Sequence, residues 1–202
     1  EVVKRFERMI HYNESYFFDV EDFEVIIDYY FERNNLKKTN IAIHHALEQH
    51  PGSVTFQLKK AQYFVFANKS EKALKILSEI EVVDPLNTEI HITKGEVYSQ
   101  LKRYDKAIEE YNKAIPGTDD LEDLYTTIAY EYENMGDYDN PVIHLKKVAE
   151  MNPENDPTLF ELSFCFEITD RYEESVGFFR SFVDRNPYSK VGWFNLGVAY
   201  NN

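Results

Sequence analysis

Apolar and polar residues alternate with a helical period along nearly the whole chain. The stretch 88–115 shows this well, because it has the pattern of two amphipathic helices joined by a tight turn. Its first helix carries Gly95, where a neighbouring helix can approach closely. In its second helix Ala107, Tyr111 and Ala114 are spaced by four and three residues, so one face carries small, large and small side chains. This pattern predicts a helical hairpin, and no stretch has the pattern of a convincing strand.

The same unit recurs every 34 residues. A constant spacing of 34 separates the aromatic residues in the middle of each first helix, which are Tyr30, Phe64, Tyr98, Tyr132, Phe166 and Tyr200. Pro51 and Pro85 are also 34 residues apart, and so are Pro153 and Pro187. A spacing kept without insertion along the chain indicates a repeat protein, in which each unit packs mainly against its neighbours.

A 34-residue helix–turn–helix of this kind resembles the tetratricopeptide repeat family. That family has a small residue at position 8 of each unit, an aromatic or aliphatic residue at position 24 and proline at position 32. Here position 8 is Ala61, Gly95, Ala129, Ser163 and Gly197, with Ile27 as the exception, and position 24 is Ile43, Leu77, Tyr111, Leu145 and Phe179. The resemblance implies an all-α, right-handed superhelical solenoid of antiparallel helix pairs. The acidic, tyrosine-rich composition resembles bacterial members of unassigned role.

The resemblance also predicts the domain organisation. The units are 20–53, 54–87, 88–121, 122–155 and 156–189, followed by a partial unit at 190–202, and together they form one domain. Residues 1–19 are a short helix and a linker. Val3, Phe6 and Ile10 share one face of that helix, which either caps the array or is the tail of an earlier unit. Because the chain begins at Glu1 and stops inside a helix, we expect a fragment of a longer protein.

Two departures from the family pattern predict local detail. Pro141 stands at position 20, where the family has alanine. Because proline has no backbone N–H, a helix accepts it only in the first turn. We therefore expect the second helix of the unit 122–155 to start late, near Asp139 or Asn140, or to kink there. Phe182 is large for position 27, where the family has alanine, and predicts a locally wider helix spacing.

Charge restricts the class of partner. The chain has 22 lysine and arginine residues against 36 aspartate and glutamate residues, a net charge of −14. Nucleic acids and anionic membrane surfaces need a basic footprint, so neither is an expected partner. A protein or peptide with basic or apolar residues fits better. No apolar stretch has transmembrane length and no signal peptide is visible, so we expect a cytoplasmic protein without membrane insertion.

Catalytic and metal chemistry is not predicted. Cys165 is the only cysteine, which excludes an internal disulfide, and its place between Leu162 and Phe166 predicts a buried thiol. None of the six histidines pairs with another histidine or with a cysteine at ligand spacing. No glycine-rich phosphate loop or nucleophile motif is present. We therefore expect no enzyme, no cofactor and no metal.

The resemblance places binding on the concave groove lined by the first helices. Position by position, this groove begins acidic and becomes aromatic: Glu24, Asp28 and Glu96 are followed by Tyr130, Phe160, Phe164 and Phe194. The aromatic part suits an apolar anchor of a bound peptide, and the acidic part favours lysine or arginine beside it. The alternative is that these aromatic residues simply pack against neighbouring helices.

The expected function is a non-catalytic scaffold that binds a protein or peptide. One alternative is a structural module that forms a homodimer through an exposed face of the last helix, with Trp193, Leu196 and Tyr200. The other alternative is the adaptor segment of a larger enzyme or secretion component.

Overall fold

The computed structural model describes residues 1–201, and this part of the chain is helical without a strand. The twelve α-helices are α1 Val2–Tyr12, α2 Val20–Glu32, α3 Leu36–Gln49, α4 Val54–Phe66, α5 Ser70–Val83, α6 Thr88–Gln100, α7 Tyr104–Ala114, α8 Leu121–Asn134, α9 Pro141–Met151, α10 Asp156–Ile168, α11 Tyr172–Arg185 and α12 Lys190–Asn201. The helices from α2 to α11 form the successive helix pairs that the repeat pattern predicts. The all-α expectation is therefore confirmed.

Contacts between Cα atoms divide the chain into two compact halves. The N-terminal half is Glu1–Leu101 and the C-terminal half is Lys102–Asn202. The boundary lies in the turn between α6 and α7, inside the predicted unit 88–121. The bounds of the six predicted repeat units stay predictions. So does the expectation that these units form one domain.

Aromatic residues build the first core of the N-terminal half, where α1 packs on α2 and successive helices pack in chain order. Phe6, Phe18, Phe23 and Phe56 are all fully buried. The ring of Phe6 meets that of Phe18 edge-on at 5.9 Å, and Phe23 meets Phe56 in the same way at 5.9 Å. Edge-to-face pairs of this kind add to the stabilisation that burial alone gives.

The segment before α2 lies on the first hairpin. The backbone N–H of Phe18 donates to Gln49 Oε1 at 3.0 Å, and Gln49 Nε2 donates to the carbonyl of Tyr16 at 2.9 Å. The expectation for α1 is wrong in one respect: Ile10 is 39% exposed, and Met9 is buried beside Phe6 instead. Phe6 and Met9 are three residues apart, so they share the face that α2 covers.

In the C-terminal half the core lies between α8, α9, α10, α11 and α12. Four large residues of this core are at most 1% exposed: Leu159, Phe166, Phe179 and Phe182. The late start predicted for the helix at Pro141 is confirmed, because α9 begins at Pro141 with Asn140 as its N-cap. The other second helices begin three positions earlier in the repeat.

A glycine on α12 makes room for the large residue on α11. A Cβ atom added at Gly192 would lie 2.9 Å from two ring carbons of Phe182. Real Cβ atoms essentially never come so close. The bulk at position 27 is therefore accommodated by the missing side chain on the facing helix. The wider helix spacing expected there stays a prediction.

Each hairpin turn uses the same local geometry. Position 15 of every repeat has a positive φ: the residues are Asn34, Asn68, Lys102, Gly136 and Asp170, with φ between 50° and 76°. Each first helix from α2 to α10 also begins with a side chain that accepts a hydrogen bond from the backbone three residues on: Asp19, Ser53, Asn87, Asp120 and Asn155. Such caps satisfy N–H groups that the helix leaves free and fix where it starts.

Candidate peptide-binding surface

The predicted aromatic groove residues all lie in the C-terminal half. Tyr130 is on α8, Phe160 and Phe164 are on α10, and Phe194 is on α12. Their side chains are between 46% and 61% exposed. We refer to these four residues as the aromatic surface.

The rings of the aromatic surface are held in place by contacts on one side. Phe160 meets Phe194 at 6.0 Å between ring centroids, and Phe164 meets Tyr138 edge-on at 5.7 Å. The helices α10 and α12, which carry Phe160 and Phe194, pack directly on each other. The rings therefore pack against neighbours, as one hypothesis expects, and still leave about half of their area free for a partner.

A pocket of about 380 Å³ adjoins Tyr130 between α8 and α10. Its wall includes the carboxylates of Glu133 and Glu161. Burial, the charge of Glu161 and a hydrogen bond to it raise the pKa of Glu133 to about 7. Glu133 is therefore partly protonated near neutral pH.

Cys165 lies behind this pair and is fully buried, as its sequence context predicts. Burial is the main cause that raises the pKa of the Cys165 thiol, and the charges of Glu133 and Glu161 add to it, so that this pKa is about 12. The thiol is therefore a poor nucleophile at neutral pH, because the thiolate is the reactive form.

Sequence reasoning did not single out Glu133 and Glu161. Glu133 stands at position 12 of its repeat and Glu161 at position 6 of the next. Position 12 is glutamate also in the next repeat, as Glu167, and position 6 is acidic in no other repeat, so neither position attracts attention alone. A comparison of position 12 with position 6 of the following repeat would have found the pair.

The acidic part of the predicted groove lies in the N-terminal half and is partly neutralised there. Asp28 on α2 accepts a hydrogen bond from Lys59 Nζ on α4 at 2.5 Å. Its charge thus has a partner within the chain. Glu24 is partly buried on the same helix. Glu96 on α6 is exposed to solvent. Partial desolvation of its carboxylate and the nearby charge of Glu89 raise its pKa.

The last helix exposes two of the three residues predicted for a self-association face. Trp193 is 52% and Tyr200 55% exposed, whereas Leu196 is only 7% exposed. The expectation is wrong for Leu196 because α12 packs against α10 and α11, and Leu196 joins their core. Trp193 Nε1 donates to the carbonyl of Pro187 at 2.9 Å, and the Arg180 guanidinium lies over the Tyr200 ring at 5.6 Å.

None of the helices in the described residues 1–201 has the length and apolar character required to cross a membrane.

Helix pairs repeated every 34 residues define a helical repeat protein. The model of the tetratricopeptide repeat matches residues 88–115 and 122–155. These two segments are similar to that repeat, so the resemblance seen in the sequence is confirmed.

Among known proteins, the chain is similar to the BBSome complex member BBS4 of Bos taurus, with 23% identity over 195 residues. That alignment covers 94% of this chain and 37% of BBS4, so the chain spans little more than a third of this relative. Among solved structures, MamA matches with a TM-score of 0.64 and 17% identity, over 85% of this chain and 97% of MamA. The tetratricopeptide repeat protein YrrB matches with a TM-score of 0.59 and 19% identity, over 79% and 82% of the two chains. These structures show the fold that the two proteins share with this chain.

Proposed function

We propose that the chain is a non-catalytic module that binds a peptide segment of a partner protein on the aromatic surface. The observation that carries this proposal is the set of four half-exposed rings on α8, α10 and α12. Large apolar groups rarely stay exposed together without a binding role. Proteins with this repeat are typically non-catalytic scaffolds, and YrrB is described as having an unusual peptide-binding site.

The chemistry of the site favours a particular kind of peptide. Phe160 and Phe194 lie edge to face and offer a platform for an aromatic or aliphatic anchor. The neighbouring pocket carries Glu133 and Glu161, and the whole chain has a net charge of −14. A lysine or arginine of the peptide, placed near its apolar anchor, therefore has the charge opposite to that of the site.

The proposal is tested with a display library of random peptides, screened against the parent protein and against the variant Phe160→Ala/Phe164→Ala. We expect the enriched peptides to combine an apolar anchor with lysine or arginine. Truncation of two central aromatic contacts should weaken their binding by about tenfold or more.

A matched control is Tyr12→Ala/Tyr188→Ala, which removes two exposed aromatic rings elsewhere and should leave binding unchanged. Circular dichroism must show that every variant is folded. Equal affinity of the parent and the Phe160→Ala/Phe164→Ala variant for the enriched peptides would contradict the proposal.

A second candidate function is self-association through α12. It is supported by Trp193 and Tyr200, which leave about half of their area exposed on one helix. Light scattering over a concentration series measures the oligomeric state. A dimer that dissociates in Trp193→Ala/Tyr200→Ala would support this candidate, whereas a monomer at micromolar concentration would count against it.

The third candidate is an adaptor segment within a larger assembly. It is supported by the similarity to BBS4, which is named as a complex member and of which this chain covers 37%. Co-purification of the complete protein with stable subunits would favour this candidate.

A further inference from the structure

Three potential metal ligands from two helices converge beside the pocket of the C-terminal half. Glu161 and Cys165 are four residues apart on α10, so they share one face of that helix. Glu133 comes from α8. One ligand atom of each residue lies within 4.8 Å of the other two.

The buried thiol distinguishes this cluster from an ordinary group of surface carboxylates. Cys165 is fully buried, and the described structure shows no hydrogen bond to its Sγ atom. The sulfur faces the two carboxylates from the core side, and both of them raise the pKa of the thiol. An unpartnered donor thus lies on the side of the carboxylate pair opposite solvent.

The donor set selects for one kind of cation. Thiolate ligands favour soft or borderline metals such as Zn²⁺, whereas Mg²⁺ and Ca²⁺ prefer sites made only of oxygen. Zn²⁺ accepts cysteine and glutamate at bond lengths of about 2.0–2.3 Å, which places neighbouring donors about 3.3–3.8 Å apart. The three donors lie within 4.8 Å of one another, so they must move closer together when the ion binds.

Access and a fourth ligand are also available. Glu133 and Glu161 line the pocket of about 380 Å³, which is large enough for water to reach the cluster. Three protein ligands with water in the fourth position are a common zinc arrangement. A cation there also removes the repulsion between the two carboxylates.

We propose that Glu133, Glu161 and Cys165 form a binding site for one Zn²⁺ ion, with water from the pocket as the fourth ligand. The metal site shares Glu133 and Glu161 with the acidic pocket beside the proposed peptide surface, but its evidence does not rest on that function. It uses none of the four rings of the aromatic surface.

The first test is equilibrium dialysis of the protein against Zn²⁺, with metal content measured by mass spectrometry. We expect one Zn²⁺ per chain. Loss of a second-shell partner typically weakens metal binding about 10–100-fold, and loss of a ligand should cost at least as much. Cys165→Ala and Glu133→Gln/Glu161→Gln should therefore bind at least about tenfold more weakly. The control Glu150→Gln/Glu154→Gln removes two exposed carboxylates of the same half and should bind like the parent.

The second test replaces zinc by Co²⁺ and records the near-ultraviolet charge-transfer band that a thiolate bound to cobalt produces. The parent protein should show this band, and Cys165→Ala, checked for folding by circular dichroism without metal, should lack it. Absence of stoichiometric Zn²⁺ in the parent overturns the proposal. Metal binding without the band also overturns it, because the carboxylates would then act without Cys165.

Discussion

The same two repeat positions carry opposite chemistry in the two halves of the molecule. Positions 5 and 9 are Glu24 and Asp28 on α2, but Phe160 and Phe164 on α10. In the N-terminal half, Asp28 is paired with Lys59 from the next first helix. In the C-terminal half, the two phenylalanines meet Phe194 and Tyr138 and remain about half exposed.

This difference shows which repeat positions the fold constrains and which positions can carry different residues. Apart from the late start of α9, the helix boundaries, caps and turn geometry are alike in both halves, so positions 5 and 9 are not needed to form the hairpin. One half uses them for an ion pair within the chain, and the other presents apolar rings to solvent. Candidate function therefore concentrates in the C-terminal half.

The largest expected effect contrasts buried and exposed aromatic residues on α10 itself. Phe166 is 1% exposed and Phe164 46% exposed. Phe166→Ala should reduce the free energy of unfolding by about 3–5 kcal/mol, because it leaves a cavity in the core. Phe164→Ala should cost less than about 1.5 kcal/mol, since it removes mainly one edge-to-face contact. Urea unfolding followed by circular dichroism measures both, and similar losses would mean that Phe164 is a structural residue.

A smaller effect is expected where α12 meets α11. Gly192→Ala places a methyl group against the Phe182 ring and should destabilise the protein by about 1–3 kcal/mol. Gly197→Ala on the same helix meets no atom within 4 Å and should be neutral or slightly stabilising. Adding Phe182→Leu to Gly192→Ala should recover part of the loss. Thermal unfolding ranks the variants, and an unchanged midpoint for Gly192→Ala would refute the account of how Phe182 is accommodated.

Turn residues provide the next comparison. Lys102 has a φ of 56°, which is unfavourable for a residue with a Cβ atom, whereas the equivalent residue in the next repeat is Gly136. Lys102→Gly should raise the free energy of unfolding by about 0.5–1 kcal/mol, and Gly136→Ala should lower it by about the same amount. Chemical denaturation measures both changes. A loss of stability in Lys102→Gly would show that this side chain contributes more than its backbone geometry costs.

The smallest effect concerns ion pairs between a glutamate on one helix and a lysine on another. In the N-terminal half, a hydrogen bond from Lys38 lowers the pKa of Glu7. In the C-terminal half, burial alone would raise the pKa of Glu174, but Lys146 and Arg171 together lower it. A lowered carboxyl pKa stabilises the fold above the unfolded pKa, and this contribution is lost as pH falls through the folded value.

Glu7→Gln and Glu174→Gln should each therefore reduce stability by about 0.2–1 kcal/mol at neutral pH, a modest amount because all these side chains are partly exposed. The difference from the parent should begin to shrink as pH falls below the ordinary glutamate pKa of 4.5, and it should vanish below the lowered pKa of the folded state, where the parent carboxylates are protonated as well. Denaturant unfolding at a series of pH values measures this, and a difference that persists in acid would assign the loss to packing.

Much of the fold follows from the sequence because local chemistry decides it. Pro141 lacks an N–H, so α9 begins there. The regular spacing of 34 residues predicts the hairpins, and Asp19 caps α2 as its position suggests. These features depend on residues within one hairpin, which a single sequence displays directly.

The candidate site was only partly predictable because it depends on residues from different helices. The four rings were identified from their repeat positions, but Leu196 was expected at the surface, although α10 and α11 cover it. The pairing of Asp28 with Lys59 and the meeting of Glu133, Glu161 and Cys165 join residues about one repeat apart. Such contacts depend on how neighbouring hairpins pack and on where their side chains point. The helical period of one segment does not define either of these.

The left-handed backbone conformation at position 15 of each repeat affects the rate of folding. Four of the five hairpins are closed by only three residues around it, so their helices meet after a very short loop has formed. Short loops close with little loss of chain entropy, and proteins rich in such local contacts fold quickly. The hairpin of α8 and α9 has a six-residue connection instead, so it is the one we expect to close last.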